Sequence, residues 1–262
     1  MEATVSLPDS ASSDSASSEL RDERPGAAAP RHPIRRALEA GEYDDELFDE
    51  LYSGRIRDAS ACFWTPVAVA CRAATLLARL GASRVLDVGS GPGKFCIAGA
   101  AVRPKLTFTG IEQRADLVAA ARTTSRRLGL DNASFELGEV TCMDWDAFDG
   151  FYFFNPFGEN LHSPDEDHFD DAVELSGGRY LREIAWVEHR LATLVPGSIV
   201  ATYHGFGGRV PASYDLVAEE PCGTNRLRIW VKSGAWRAGW WRELYGGGVQ
   251  RGRFFDCPPG GR

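Results

Sequence analysis

The stretch that decides the fold is Val85-Leu86-Asp87-Val88-Gly89-Ser90-Gly91-Pro92-Gly93-Lys94-Phe95. A short apolar run ends in an acid, three glycines follow at alternate positions, and an apolar helical pattern begins. This order predicts a strand, a tight turn and a helix. Without a Cβ at 89, 91 and 93, a ligand can lie directly against the backbone of the turn. The N-terminus of the helix offers free N–H groups at the same place. Asp87, at the carboxyl end of the strand, is positioned to accept bonds from a cationic or hydroxyl-bearing ligand.

Downstream, Leu106-Thr107-Phe108-Thr109-Gly110-Ile111-Glu112 reads as a second strand ending in an acid. An acid about 20 residues after the glycines of a βαβ unit reaches ribose hydroxyls. It is also where a helix-start acid is favoured by the helix dipole, and that reading stays open. Dinucleotide enzymes place G-x-G-x-x-G at such a turn, whereas here the spacing is G-x-G-x-G with the acid ahead of it. The pattern resembles motif I of the class I S-adenosylmethionine-dependent methyltransferases. The resemblance implies a Rossmann-like α/β fold with a mostly parallel seven-stranded sheet, strand order 3-2-1-4-5-7-6, and a C-terminal β-hairpin. It also implies S-adenosyl-L-methionine as cofactor, held by Asp87, Gly89, Ser90, Gly91, Gly93, Glu112 and Gln113.

Three further segments extend the resemblance. Gly138-Glu139-Val140 stands where this superfamily often has Gly-Asp, with the acid near the adenine amino group; Glu139 is one methylene longer. Phe153-Phe154-Asn155-Pro156-Phe157-Gly158 is similar to the (Asp/Asn)-Pro-Pro-(Tyr/Phe) motif of amino-methyltransferases, with one proline in place of two. There the Asn oxygen and a proline carbonyl accept bonds from the target amino group, and the aromatic ring stacks on the substrate. This assigns Asn155, Pro156 and Phe157 to catalysis, largely by positioning, with Asn155 also beside the cofactor. A turn that simply closes a buried strand is the other reading of the same residues. Phe63-Trp64-Thr65-Pro66 resembles the (Phe/Tyr)-Thr-Pro segment of the same enzymes, which implies that Trp64 and Thr65 meet the methionyl end of the cofactor. Thr65 also reads as a helix N-cap before Pro66 at the first helical position.

His204, in Tyr203-His204-Gly205-Phe206-Gly207-Gly208, falls at a strand's carboxyl end and can serve as a general base or as a structural histidine. His162 and His168 flank Asp165-Glu166-Asp167 at a spacing that matches no metal site, so no metal is expected.

The pattern divides the chain into a disordered Ser/Ala/Asp-rich tail at 1–30, a helical cover at 31–80, the methyltransferase-like domain at 81–245 and a flexible tail at 246–262. The tail is too poor in apolar residues to offset its ordering entropy. Helices are expected at Tyr43–Tyr52, Pro66–Leu80, 93–102, 114–128 and about 178–194. Strands are expected at 84–89, 106–111, 133–138, 150–155 and 198–204, then a hairpin of 214–220 and 227–232. Six cysteines, at 62, 71, 96, 142, 222 and 257, show no C-x-x-C pair. They read as thiols of a reducing compartment, and with no signal or membrane-spanning run evident the expectation is a cytoplasmic protein.

Net charge is −8, unevenly spread. Asp131 to Gly178 holds thirteen acids and no Lys or Arg, leaving 29 basic against 24 acidic side chains elsewhere, a balance of +5. Such a run repels phosphate backbones if it lines the active face, or is a set of solvated loops. The sequence reading is therefore a methyltransferase acting on a nitrogen of a small molecule or protein side chain, with duplex nucleic acid disfavoured as partner. An adenine-N6-type nucleic-acid enzyme and, from another class, a nicotinamide-dependent oxidoreductase are its alternatives.

Overall fold

The computed structural model describes residues 31–162, 169–223, 225–234 and 250–251. The segment 1–30, the run Asp165-Glu166-Asp167 with His168, and all of the 246–262 tail except Gln250–Arg251 lie outside the described residues.

The alternation of strand and helix read from the sequence is the architecture found. Strands β1 (Arg84–Val88), β2 (Thr107–Glu112), β3 (Ala133–Leu137), β4 (Gly150–Phe153) and β5 (Ile199–Tyr203) are parallel, in the order β3-β2-β1-β4-β5. Antiparallel β7 (Asn225–Lys232) follows β5 and pairs with β6 (Tyr214–Cys222). The resulting order matches the 3-2-1-4-5-7-6 expected. A two-residue β8 (Gln250–Arg251) adds an eighth strand, parallel to β6 at the edge, for which the sequence carries no signal. The hairpin is tighter than expected: Pro221 and Cys222 remain in β6, so the turn shrinks to two residues.

The inner strands β1, β2, β4 and β5 are buried on both sides, as a crossover-connected parallel sheet requires, while edge strand β3 is largely exposed. Val85, Tyr152, Ala201 and Ile229 face one core cluster, while Leu86, Val88, Phe151, Phe153 and Val200 face a second. The first face is covered by α1 (Pro33–Ala40), α5 (Val67–Arg79), α6 (Lys94–Val102) and α7 (Ala115–Leu128), the second by α8 (Gly177–Thr193). Between α1 and α5 run three short helices, α2 (Asp45–Asp49), α3 (Gly54–Asp58) and α4 (Ser60–Phe63).

Two expectations need amendment. Pro66 does not open α5 as its first residue but caps it, and Thr65 does not supply the cap. The Val67 N–H donates instead to Asp45 Oδ1 at 2.9 Å, a side chain brought from α2. Second, the segment Ser60–Arg79 has a mean hydropathy of 1.5 over an 18-residue window, enough by length and composition to cross a membrane. Half of that window is buried inside the fold, and α5 packs Val69, Ala70, Ala73 and Leu77 against the sheet side. Its apolarity belongs to a core helix buried on most of its surface.

The helical cover is locked to the domain by a buried ammonium. Lys94 is 3 % exposed, with Nζ 2.7 Å from Asp45 Oδ1 and 2.8 Å from Asp49 Oδ1, and it donates to Ser60 Oγ at 2.9 Å. A charge so placed is tolerated only because it is paired. Lys94→Met should therefore destabilise the protein by about 2–4 kcal/mol, the range for breaking a buried pair with one half-exposed partner. Urea midpoints would show it, and adding Asp49→Asn should recover part of the loss.

Candidate active site

A cleft opens at the carboxyl ends of β1, β2 and β4, where ligands bind in open α/β sheets. Its wall includes Phe63, Trp64, Gly89, Glu112, Gln113, Arg114, Glu139, Val140, Phe154, Asn155, Pro156, Phe157, Glu159 and Glu183. Most of the residues singled out in the sequence thus converge on one place. Thr65, Asp87, Ser90, Gly91 and Gly93 lie behind that wall, and His204 sits beside it at the end of β5.

The glycine turn is shaped by close approach as well as by dihedrals. Gly89 has φ +71, and a Cβ there would come within 2.7 Å of Pro156 Cβ. Gly91 has φ +54, and a Cβ would meet the Trp64 ring at 2.7 Å. Gly93, also at positive φ, caps α6 against the Phe135 ring. Side chains at these positions are excluded both by strain and by the neighbours.

Two carboxyls are buried beside the turn. Glu112 is 7 % exposed and accepts from the Gly91 N–H at 3.0 Å and the Arg114 N–H at 2.9 Å. Asp87 is 3 % exposed and accepts from the Cys96 thiol at 3.5 Å. Burial pushes Asp87 up to about 8, the Cys96 bond opposes the shift, and the neighbouring Glu112 adds to it. Burial raises Glu112 as well, opposed by its backbone N–H donors and by Arg114. Such a pair favours an incoming cation with hydroxyl donors. The Ser90 hydroxyl and one Arg114 guanidinium nitrogen, Nη2, are buried there without a partner. These donors and acids suit a sulfonium nucleoside: Glu112 for its ribose, Asp87 for its positive end, and the glycine turn for its backbone-hugging middle. Thr65, by contrast, is committed, its hydroxyl bonded to Tyr152 at 3.1 Å.

The turns after β4 and β5 each carry an unusual backbone. Among the described residues, Asn155 (φ +42) and His204 (φ +66) are the non-glycine residues at positive φ. They are neighbours, since the Asn155 N–H donates to the Gly205 carbonyl at 2.8 Å. Asn155 opens a β-turn closed by the Gly158 N–H at 3.1 Å, with Pro156 at the second position where its fixed φ is favoured. The stretch is a turn that ends a buried strand, with Asn155 left exposed at its corner. Phe157, at 6 % exposed, packs into the second core cluster. The His204 ring lies edge-on to Phe154 and Tyr203, at 5.2 and 4.7 Å between centroids, and desolvation lowers its pKa. The imidazole is therefore neutral at pH 7, the form that accepts a proton.

The acidic run turns out to be answered from outside itself. Glu139 pairs with Arg179, Glu159 and Asp170 with Arg114, Asp170 also with Arg55, and Asp146 with Arg190. Asp149 accepts the N–H groups of Ser83 and Arg84. Glu139, Asp146, Asp149, Glu159 and Asp170 are answered in this way, while Asp131, Glu136, Asp144, Asp171 and Glu174 of the same run are exposed. Phe169, within the run, stacks edge-on against Phe63 and Trp64, with Arg55 and Arg114 over its ring. Arg114 and Arg179 are the site residues that sequence reasoning missed. Their signal was position: Arg114 lies two residues after Glu112, and Arg179 is the first basic residue after the run. Among the described residues no group of three or more His, Cys, Asp or Glu is placed to hold a metal ion.

Residues 81–169 match the family model of a methyltransferase domain. Two tRNA (guanine-N(7)-)-methyltransferases are similar over a shorter stretch. That of Microcystis aeruginosa is 44% identical over 55 residues, 21% of this chain and 26% of its own length. That of a Synechococcus species is 44% identical over 62 residues, 24% and 26% respectively. The chain spans about a quarter of the length of these curated relatives. The structure of TrmN from Thermus thermophilus superposes with a TM-score of 0.50 at 18% identity, covering 68% of this chain and 52% of that one. That likeness is one of fold.

A carboxyl whose folded pKa exceeds its unfolded value of about 3.9 stabilises the native state fully below that value, and the contribution is lost as pH rises through the folded pKa. For Asp87 the window runs from about pH 4 to about 8. Over it, the thermal midpoint of the ligand-free protein should fall relative to that of Asp87→Asn. Parallel melting curves across this window would show that Asp87 titrates normally.

Proposed function

We propose that this chain is a class I S-adenosylmethionine-dependent methyltransferase and that it transfers the methyl group to a nitrogen acceptor held at Asn155. The observation that carries the reading is the strained, exposed Asn155 at the corner of the β4 turn, on the wall of the cleft that the glycine turn and Glu112 define. A non-glycine residue kept at positive φ marks a place where the side chain is needed.

The cofactor supplies an electrophilic methyl on a sulfonium, whose sulfur keeps the electron pair when the carbon–sulfur bond breaks. Glu112 accepts from the ribose hydroxyls, and the ionised form of Asp87 offsets the positive charge. The Asn155 amide oxygen and the Pro156 carbonyl accept the N–H groups of the substrate and aim its lone pair at the methyl. Phe154, half-buried on the wall, flanks the substrate more openly than Phe157 does. Neutral His204, one hydrogen bond away from Asn155 through Gly205, receives the proton that the new carbon–nitrogen bond releases. Most of the rate enhancement in such a site is alignment.

For the substrate, an amine of a small molecule or protein side chain suits Asn155, which accepts N–H donors. A second reading, an RNA nitrogen, is supported by the similarity to the tRNA guanine-N7 enzymes, and the arginines paired with part of the acidic run lessen the electrostatic objection to it. Transfer of labelled methyl to cell fractions, before and after nuclease or protease treatment, separates the two. Label sensitive to nuclease favours RNA, and label resistant to nuclease favours the amine.

Asn155→Gly keeps the left-handed backbone and removes the amide, so it isolates the chemistry. It should leave cofactor affinity and the melting point near wild type and reduce methyl transfer about 100-fold. Near-normal turnover would reduce Asn155 to a turn residue. Glu112→Ala should weaken cofactor binding by about 2–4 kcal/mol in calorimetry, and unchanged affinity would remove Glu112 from the ribose.

A further inference from the structure

The start of α8 places one guanidinium against two polar groups of the cleft wall. Arg179 Nη2 donates to Gln113 Oε1 and to both Glu139 oxygens, at 2.8 and 2.9 Å for the carboxylate. Its Nε donates to Glu183 Oε1 at 2.9 Å, and Glu183 is itself 8 % exposed and held by Asn160. Arg179 is thus fixed from behind and points forward into residues that line the cleft.

The consequence lies in the polarity of Gln113. An amide whose oxygen is taken by an arginine, which can only donate, must turn its NH2 the other way. Beside it stands Glu139, which can only accept when ionised. Both oxygens are bonded to the same nitrogen, so the donor of Gln113 and the acceptor of Glu139 are neighbours on one wall. An adenine edge offers the matching pair, a ring nitrogen that accepts and an amino group that donates. Hypoxanthine offers the reverse, a donating ring N–H and an accepting oxygen.

We propose that Arg179 is a positioning residue that makes the site selective for an adenosyl over a 6-oxopurine cofactor, by locking Gln113 and Glu139 as donor and acceptor. Without it, Gln113 is free to turn over, Glu139 swings, and either base edge is accepted. The inference rests on the cofactor reading given above.

The test is calorimetric binding of S-adenosylhomocysteine and of its inosyl counterpart to the full chain. Wild type should prefer the adenosyl compound at least ~10-fold, the low end for a two-bond base contact. Arg179→Met should bring the two affinities within about threefold, mostly by weakening the adenosyl compound, and Arg179→Lys should fall between. Retained preference in Arg179→Met, or an equal loss for both compounds, would overturn the proposal, the latter showing a merely structural arginine. If circular dichroism shows Arg179→Met unfolded, Gln113→Ala on the cleft wall serves instead: loss of preference supports the proposal and its retention overturns it. Binding of neither compound by wild type overturns the cofactor reading itself, and this inference with it.

Discussion

The contact on which the site depends is that of the backbone at Gly89 and Gly91 with Pro156 and the Trp64 ring. Three separate parts of the chain meet at this turn: the helical cover through Trp64, β3 through Phe135 behind Gly93, and the β4 turn through Pro156. With no side chains at the turn, all three approach closely enough for the cofactor wall and the acceptor wall to be one surface. Any Cβ at these positions would push apart elements that must act together. The glycines therefore set how closely the β4 turn and the helical cover approach the strand-to-helix turn, and not only the shape of a loop.

Charge is the second organising term. Two carboxyls are buried next to each other, a costly arrangement for ionised groups, and backbone donors and one thiol only partly compensate for it. A cation placed beside the pair would favour the ionised form that burial disfavours. Around them, arginines from α3, the start of α7 and the start of α8 pair with acids from the run 131–178. The same pairs hold the loop after the β4 turn against the start of α7, so two walls of the cleft share their supports.

The fold was legible because each of its elements carries a local signal. Gly-rich turns, Glu112 closing a strand, and Gly81 and Gly129 ending helices at positive φ are all short-range chemistry. The short helices α3 and α4 were not legible, since they are held by contacts far along the chain, as when Ser60 accepts from Lys94 Nζ at 2.9 Å, whereas α1 carries local signals of its own in Pro33 at its start and Gly41 after its end. The same holds for the site. Asp87, Glu112 and Asn155 announce themselves by position in a motif. Arg114 and Arg179 act through partners 45 or more residues away for Arg114–Glu159 and 66 for Arg179–Gln113, and no local pattern marks such a pairing. The acidic run was read by net charge alone, and the arginines that fold onto part of it leave no mark in the local sequence.

The buried Lys94 also bears on what counts as a unit of this protein. The matched methyltransferase segment begins at residue 81, yet the ammonium at the head of its first helix is neutralised by Asp45 and Asp49, which lie before that point. Trp64, which closes over Gly91, lies before it too. The segment that sequence families share and the segment that folds are therefore not the same length. A graft or recombination at residue 81 would carry the motif across and leave its counter-charges behind. Modularity in this chain has its boundary upstream of α2, at the far side of the acids that Lys94 requires.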